Sequence, residues 1–256
     1  MPAISGANLT GISAGVTHKS GGTNFTGSLI IGHSTTGTLS SADNNTAVGL
    51  GAMDAITTGD ANTVVGYNAM TVNTTGSNNS AFGETALFKN ISGGSNTAIG
   101  QYALRENTTA DNNTAIGYGS MNINTTGHNN TAVGYQSLYG NTTGNGRNTA
   151  VGKGSMYTNT TGYQNTAVGS DSMRSNTTGY MNTTVGETSM HNNTTGIENA
   201  FFGYAAGHGN TTASSNAFIG GYSGNVNTTG ASNTGCGHNT LRANTTAANN
   251  LSLIHI

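Results

Sequence analysis

The stretch Asn130-Thr-Ala-Val-Gly-Tyr-Gln-Ser-Leu-Tyr-Gly-Asn141-Thr-Thr-Gly144 decides the fold. Its opening Asn-Thr-Ala-Val-Gly returns, whole or in close variants, with Asn at positions 45, 62, 79, 96, 113, 130, 148, 165, 182, 199, 216 and 233. The period is 17 residues at every step but one, where it is 18. A fixed period of this size means that each copy is one supersecondary unit, too small to bury its own apolar side and stabilised by stacking on its neighbours.

With the recurrent Asn as column one, column three is mostly Ala and column four runs Val48, Val65, Phe82, Ile99, Ile116, Val133, Val151, Val168, Val185, Phe202, Ile219, Cys236. Column five is Gly in all twelve copies, from Gly49 to Gly237. β-Branched residues followed by an obligate Gly predict a short strand ending in a corner. Columns eight and nine, a small residue and then Met or Leu, predict a second strand. Gly207 and Gly224 interrupt column nine and predict two thinner rungs. Columns twelve to fifteen read Asn-Thr-Thr-Gly or Asn-Thr-Thr-Ala, which is turn chemistry. The single insertion, Gly144-Asn-Gly-Arg-Asn148, falls beside that turn, where loops tolerate it. Ser28-Leu-Ile-Ile-Gly32 lies one period before Asn45 and reads as a degenerate copy, with a weaker one around Gly15.

The expected fold is all-β, a single parallel β-solenoid of about twelve 17-residue rungs, each adding about 4.8 Å. Residues 1–27 form an irregular lead-in and 28–250 the repeat domain. Beyond Asn250, Leu251-Ser-Leu-Ile-His-Ile256 breaks every column; it resembles the translated end of a sequencing-library adaptor, and the other reading is a short apolar capping strand.

Composition narrows the function. Charged residues are 6% of the chain where about 25% is usual, and net charge is −2. The seven basic residues form no cluster, which argues against nucleic-acid or anionic-membrane partners. No run approaches the roughly 20 apolar residues of a membrane span, and no signal peptide is visible, so an extracellular or virion location implies export by another route. Columns three and four are both apolar although adjacent strand residues face opposite ways. One fills the coil, and the other calls for a second apolar surface, most simply a neighbouring chain in a symmetric bundle.

The rung from Asn130 to Leu138 resembles the head repeats of trimeric autotransporter adhesins. Pro2-Ala-Ile-Ser-Gly-Ala-Asn-Leu-Thr-Gly-Ile12, together with Leu29 to Asp43 and the repeats that follow, is similar to bacteriophage tail fibres. The resemblance implies a left-handed β-roll packed as a homotrimer in a fibre. The 17-residue rung is longer than the adhesin repeat by its Asn-Thr-Thr-Gly turn.

No catalytic, cofactor or metal constellation is visible, so no enzyme activity is expected. His191 and His208 share a column without a third ligand and read as a surface pair. Cys236 reads as a buried thiol. Tyr118 with Tyr135 and Tyr163 with Tyr180 pair in register, either as sheet-stabilising stacks or as platforms for a cell-surface glycan. Asn73, Asn107, Asn124, Asn141, Asn159, Asn176, Asn193, Asn210, Asn227 and Asn244, with Asn90 of Asn-Ile-Ser, open N-glycosylation sequons. The expected function is a rigid stalk of a tail fibre or adhesin. Alternatives are a glycan-coated extracellular filament and an ice-binding solenoid built on repeated Thr.

Overall fold

The computed structural model describes residues 19–20, 29–31, 41–143 and 146–253. Its strands are β1 (Lys19–Ser20), β2 (Leu29–Ile31), β3 (Thr46–Val48), β4 (Thr63–Val65), β5 (Ser80–Phe82), β6 (Thr97–Ile99), β7 (Thr114–Ile116), β8 (Thr131–Val133), β9 (Thr149–Val151), β10 (Thr166–Val168), β11 (Thr183–Val185), β12 (Ala200–Phe202), β13 (Ala217–Ile219), β14 (Thr234–Cys236) and β15 (Leu251–Leu253). They form one sheet in sequence order. From β2 onward every pairing is parallel with like columns opposed, Thr166↔Thr183 and Val168↔Val185 for instance. β1 alone pairs antiparallel, with β2. The chain is a β-solenoid, and the steps from β2 to β15 span about 62 Å at ~4.8 Å each. No helix occurs among the described residues.

The corner after each strand requires Gly. Column five has φ between +122° and +148°, and a Cβ on Gly100 would lie 2.7 Å from the carbonyl carbon of Gly117 in the next rung. Backbone meets backbone at the rung spacing, so there is no space for a side chain whatever its rotamer.

The expected second strand does not form. Columns seven and nine are both left-handed, with φ of +50° at Gln136 and +51° at Leu138, so the path is a chain of turns. Rungs still bond there: Gln136 N donates to Tyr118 O at 2.9 Å and Leu138 N to Ser155 O at 2.9 Å. Met, Leu, Thr and Tyr hold these conformations, each disfavoured by about 1–2 kcal/mol, because the stack above and below fixes them.

The strand's middle residue points inward. Ala47, Ala98, Ala132 and Ala167 are fully buried, whereas the column-four residues around them face out. The interior is narrow enough that Ala fills it from one side and Met or Leu (Met53, Leu104, Leu138, Met173) from the other. Cys236, in the outward column, is therefore exposed rather than buried.

The rungs of Gly207 and Gly224 are not thinner. Phe201 and Phe218 replace Ala in column three, are fully buried, and stack with ring centroids 4.9 Å apart. A Cβ on Gly207 would collide with the Phe201 ring, and one on Gly224 with the Phe218 ring.

At the far end, Leu251–Leu253 adds a strand in register with Thr234–Cys236. At the near end, Leu29–Ile31 pairs in register with Thr46–Val48, as the degenerate copy predicts. Gly15 and the insertion at Gly144 and Asn145 lie outside the described residues.

Candidate functional surface

Two Asn columns run inside the rod. Asn165 shows the first: its Nδ2 donates to Asn148 Oδ1 at 3.3 Å and to Gly179 O at 2.8 Å, while its Oδ1 accepts from Asn182 N at 3.0 Å and Asn182 Nδ2 at 3.2 Å. Asn176 shows the second: its Nδ2 donates to Asn159 Oδ1 at 2.7 Å and to Gly179 O at 3.0 Å, and its Oδ1 accepts from Asn193 Nδ2 at 2.8 Å. One carbonyl, that of Gly179, thus accepts from both columns and ties them together. Only a carboxamide offers two donors and an acceptor on so short a stem, so each column can repeat without charge. Buried amides this fully bonded are structural.

This placement corrects the acceptor expectation. Asn73, Asn90, Asn107, Asn124, Asn141, Asn159, Asn176, Asn193, Asn210 and Asn227 are all fully buried. The nitrogen that a glycan would be joined to lies inside the rod; Asn90 Nδ2, for example, donates to both Asn73 Oδ1 and Gly93 O. Asn244, on the last full turn, is half-buried and makes the same two bonds. At these ten buried positions the folded rod offers no free amide for a glycan.

The outer surface carries three features. The first is the sheet's outward face, where column two presents Thr (Ser80, Ala200 and Ala217 excepted) and column four presents aliphatic or aromatic side chains. Val48, Val65, Phe82, Ile99, Ile116, Val185, Phe202 and Ile219 are each 36–47% exposed despite neighbours above and below. No charged residue stands in either column from Thr46 to Cys236.

The second is a set of aromatic stacks. Tyr118 and Tyr135 are parallel at 5.3 Å and about half exposed. Tyr163 and Tyr180 stack at 4.7 Å and are less exposed. These pairs occupy different columns, six and sixteen, so the four tyrosines proposed as glycan contacts do not form one platform. Tyr139 and Tyr157 stack separately at 5.1 Å.

The third is the His191–His208 pair, stacked at 5.1 Å. Burial first, and then the neighbouring His191, hold the His208 pKa below its ordinary value. Among the described residues no group of three or more His, Cys, Asp or Glu is placed to hold a metal ion.

Fold and surface together define the class: a single-chain parallel β-solenoid repeat protein with an uncharged, partly apolar outer sheet face. Comparison with protein-family models, curated proteins and solved structures gave no match to the chain.

Proposed function

We propose that this chain is a rigid segment of an extracellular or virion fibre, a tail-fibre or adhesin stalk that self-associates along the outward sheet face and holds a recognition tip at a distance. One observation carries the reading: the Thr and aliphatic columns run the length of the rod without a charge. Water-exposed apolar stripes of that extent mark contact surfaces. Twelve rungs at ~4.8 Å and three strand residues at ~3.3 Å make a strip of about 58 by 10 Å, a large part of the ~800 Å² per partner of a stable interface. Only a surface with the same rung spacing matches the stripe along its whole length, and another copy of this chain has one. Net charge of −2 puts little repulsion between copies.

Light scattering on the purified chain tests this. The expected mass is a multiple of 25.7 kDa, threefold for a trimer, falling to one chain in a Val133→Lys, Val168→Lys double variant. A wild-type mass of 25.7 kDa at tens of micromolar contradicts it.

A second reading rests on the same face. Ranked Thr hydroxyls and Val methyls at a ~4.8 Å repeat present a periodic template to ordered water, as an ice-binding surface does. It requires the face to be bare, hence a monomer, and predicts thermal hysteresis that the same double variant abolishes.

A further inference from the structure

Column seven of the rung points to the surface in the left-handed conformation, and in most copies it carries a side chain: Asn68, Thr85, Tyr102, Gln136, Asp171, Thr188. Three copies have Gly instead, at 51, 119 and 154. Two of the three vacated spaces are filled by the next rung. A Cβ on Gly51 would strike Asn68 Oδ1, and one on Gly154 would lie 2.5 Å from Asp171 Oδ1 and 2.9 Å from Arg174 Nη1. Above Gly119 nothing approaches closer than Gln136 Cγ at 3.5 Å.

The result is a cleft of about 220 Å³ spanning three rungs, with Gly119 as its floor. Tyr102 forms its lower wall, Tyr139 and Gln136 its upper wall, and Tyr118 one flank. Tyr102 and Tyr118 meet edge to face at 5.6 Å, so rings of two orientations border one space. Arg105 and Asn122 line the other side. The Arg105 guanidinium lies 5.7 Å from the Tyr102 ring centre, and its charge is met by Glu106 at 3.2 Å. Asn122, 8% exposed, donates Nδ2 to Tyr102 O at 3.2 Å. Among the described residues its Oδ1 and the whole Gln136 amide take no hydrogen bond within the protein.

We infer that this cleft is a binding subsite for one neutral pyranose ring of a glycan. Its volume lies below the ~300–1,000 Å³ of clefts that take drug-sized ligands, which suits a single ring. Tyr rings give the C–H face of a sugar an apolar surface, while unbonded amides and a guanidinium meet its hydroxyls. A purely apolar aromatic ligand would leave the Gln136 amide and Asn122 Oδ1 unmet, a penalty of about 1–3 kcal/mol each. With Arg105 already paired to Glu106, an anion is not required. The inference goes beyond the fibre reading and does not depend on it.

Saturation-transfer NMR tests it, using the full chain and the methyl glycosides of glucose, galactose, mannose and N-acetylglucosamine. At least one glycoside is expected to receive signal at millimolar concentration. Gly119→Asn fills the cleft with a residue the column already accepts at Asn68 and Asn239, with φ of +52° and +61°, and is expected to weaken binding about tenfold or more. Gln136→Ala, which removes the unbonded amide and the Cγ beside Gly119, gives a smaller loss and reports should the Asn variant melt early. Thr188→Asn, in the same column away from the cleft, binds as wild type. No signal from any of the four glycosides overturns the inference, as does undiminished binding by Gly119→Asn and Gln136→Ala. The mass by light scattering stays unchanged in these variants, so loss of sugar binding is separable from failure of self-association.

Discussion

The rungs of Ala150 with Met156 and Ala167 with Met173 fill the coil with a small residue from the strand and a long one from the turn. Those of Phe201 with Gly207 and Phe218 with Gly224 reverse the assignment, and the sheet passes through both without a change of register. The difference teaches that the interior conserves volume across the coil rather than residue identity in a column. Column three admits Val64 or Thr184 opposite an unchanged Met, but a ring as large as Phe201 or Phe218 enters only where column nine is Gly.

Breaking one half of an exchanged pair gives the largest expected effect. Phe201→Ala leaves a cavity beside Phe218 and is expected to destabilise by about 3–5 kcal/mol. Gly207→Met alone overpacks the Phe201 ring and costs about 1–3 kcal/mol or more. Combined, the two substitutions rebuild the ordinary rung and return the urea midpoint to within about 1 kcal/mol of wild type, a coupling that single-site additivity does not give.

Asn165→Ala comes next, at about 3 kcal/mol, because it strands Asn182 N inside the rod and strips one donor from Gly179 O. It should cost the same in the Phe201 rung, where Asn199 makes the full set of bonds, and less in the Phe218 rung, where Asn216 Nδ2 has no partner. A markedly smaller loss for Asn199→Ala, in the Phe201 rung, would show that the exchange loosens the polar columns. Tyr163→Ala removes a surface stack and is expected to shift the midpoint by about 1 kcal/mol or less.

The smallest effect is a pH dependence from His208 of the Phe201 rung. His208 follows Gly207, and the fold lowers its pKa through burial and through His191. The unfolded chain therefore takes up the proton first, and stability falls as pH drops below about 6.5, levelling off only beneath the lowered folded value. Melting temperatures from pH 7.5 to 5 check this, and His208→Asn flattens the curve.

The repeat, its register, the strand at columns two to four and the Gly corner were legible because each depends on one residue type recurring at one place. The sidedness of the strand was not. Thr-Ala-Val alternates in size, and the larger apolar residue suggests the core, yet the coil is too narrow for it and takes Ala. That reversal exposes Cys236. Columns eight and nine misled for another reason: Ser-Leu or Ala-Met has no left-handed signature, and only the stack holds Leu138 or Met173 at φ near +50°. The exchange at Phe201 and Gly207 was present in the sequence, but reading columns singly made a compensated pair look like a gap. Asn-Thr-Thr matched a sequon because the same amide chemistry serves an internal hydrogen-bonded column. The cleft over Gly119 depends on which neighbour leans over a missing side chain, and Gly51 and Gly154 show that composition alone does not tell.

Wide-angle X-ray diffraction from aligned rods tests the stacking of like on like most directly. A sharp reflection at about 4.8 Å along the long axis is expected from rungs one strand spacing apart. Its absence, or its appearance across the axis, would contradict the solenoid.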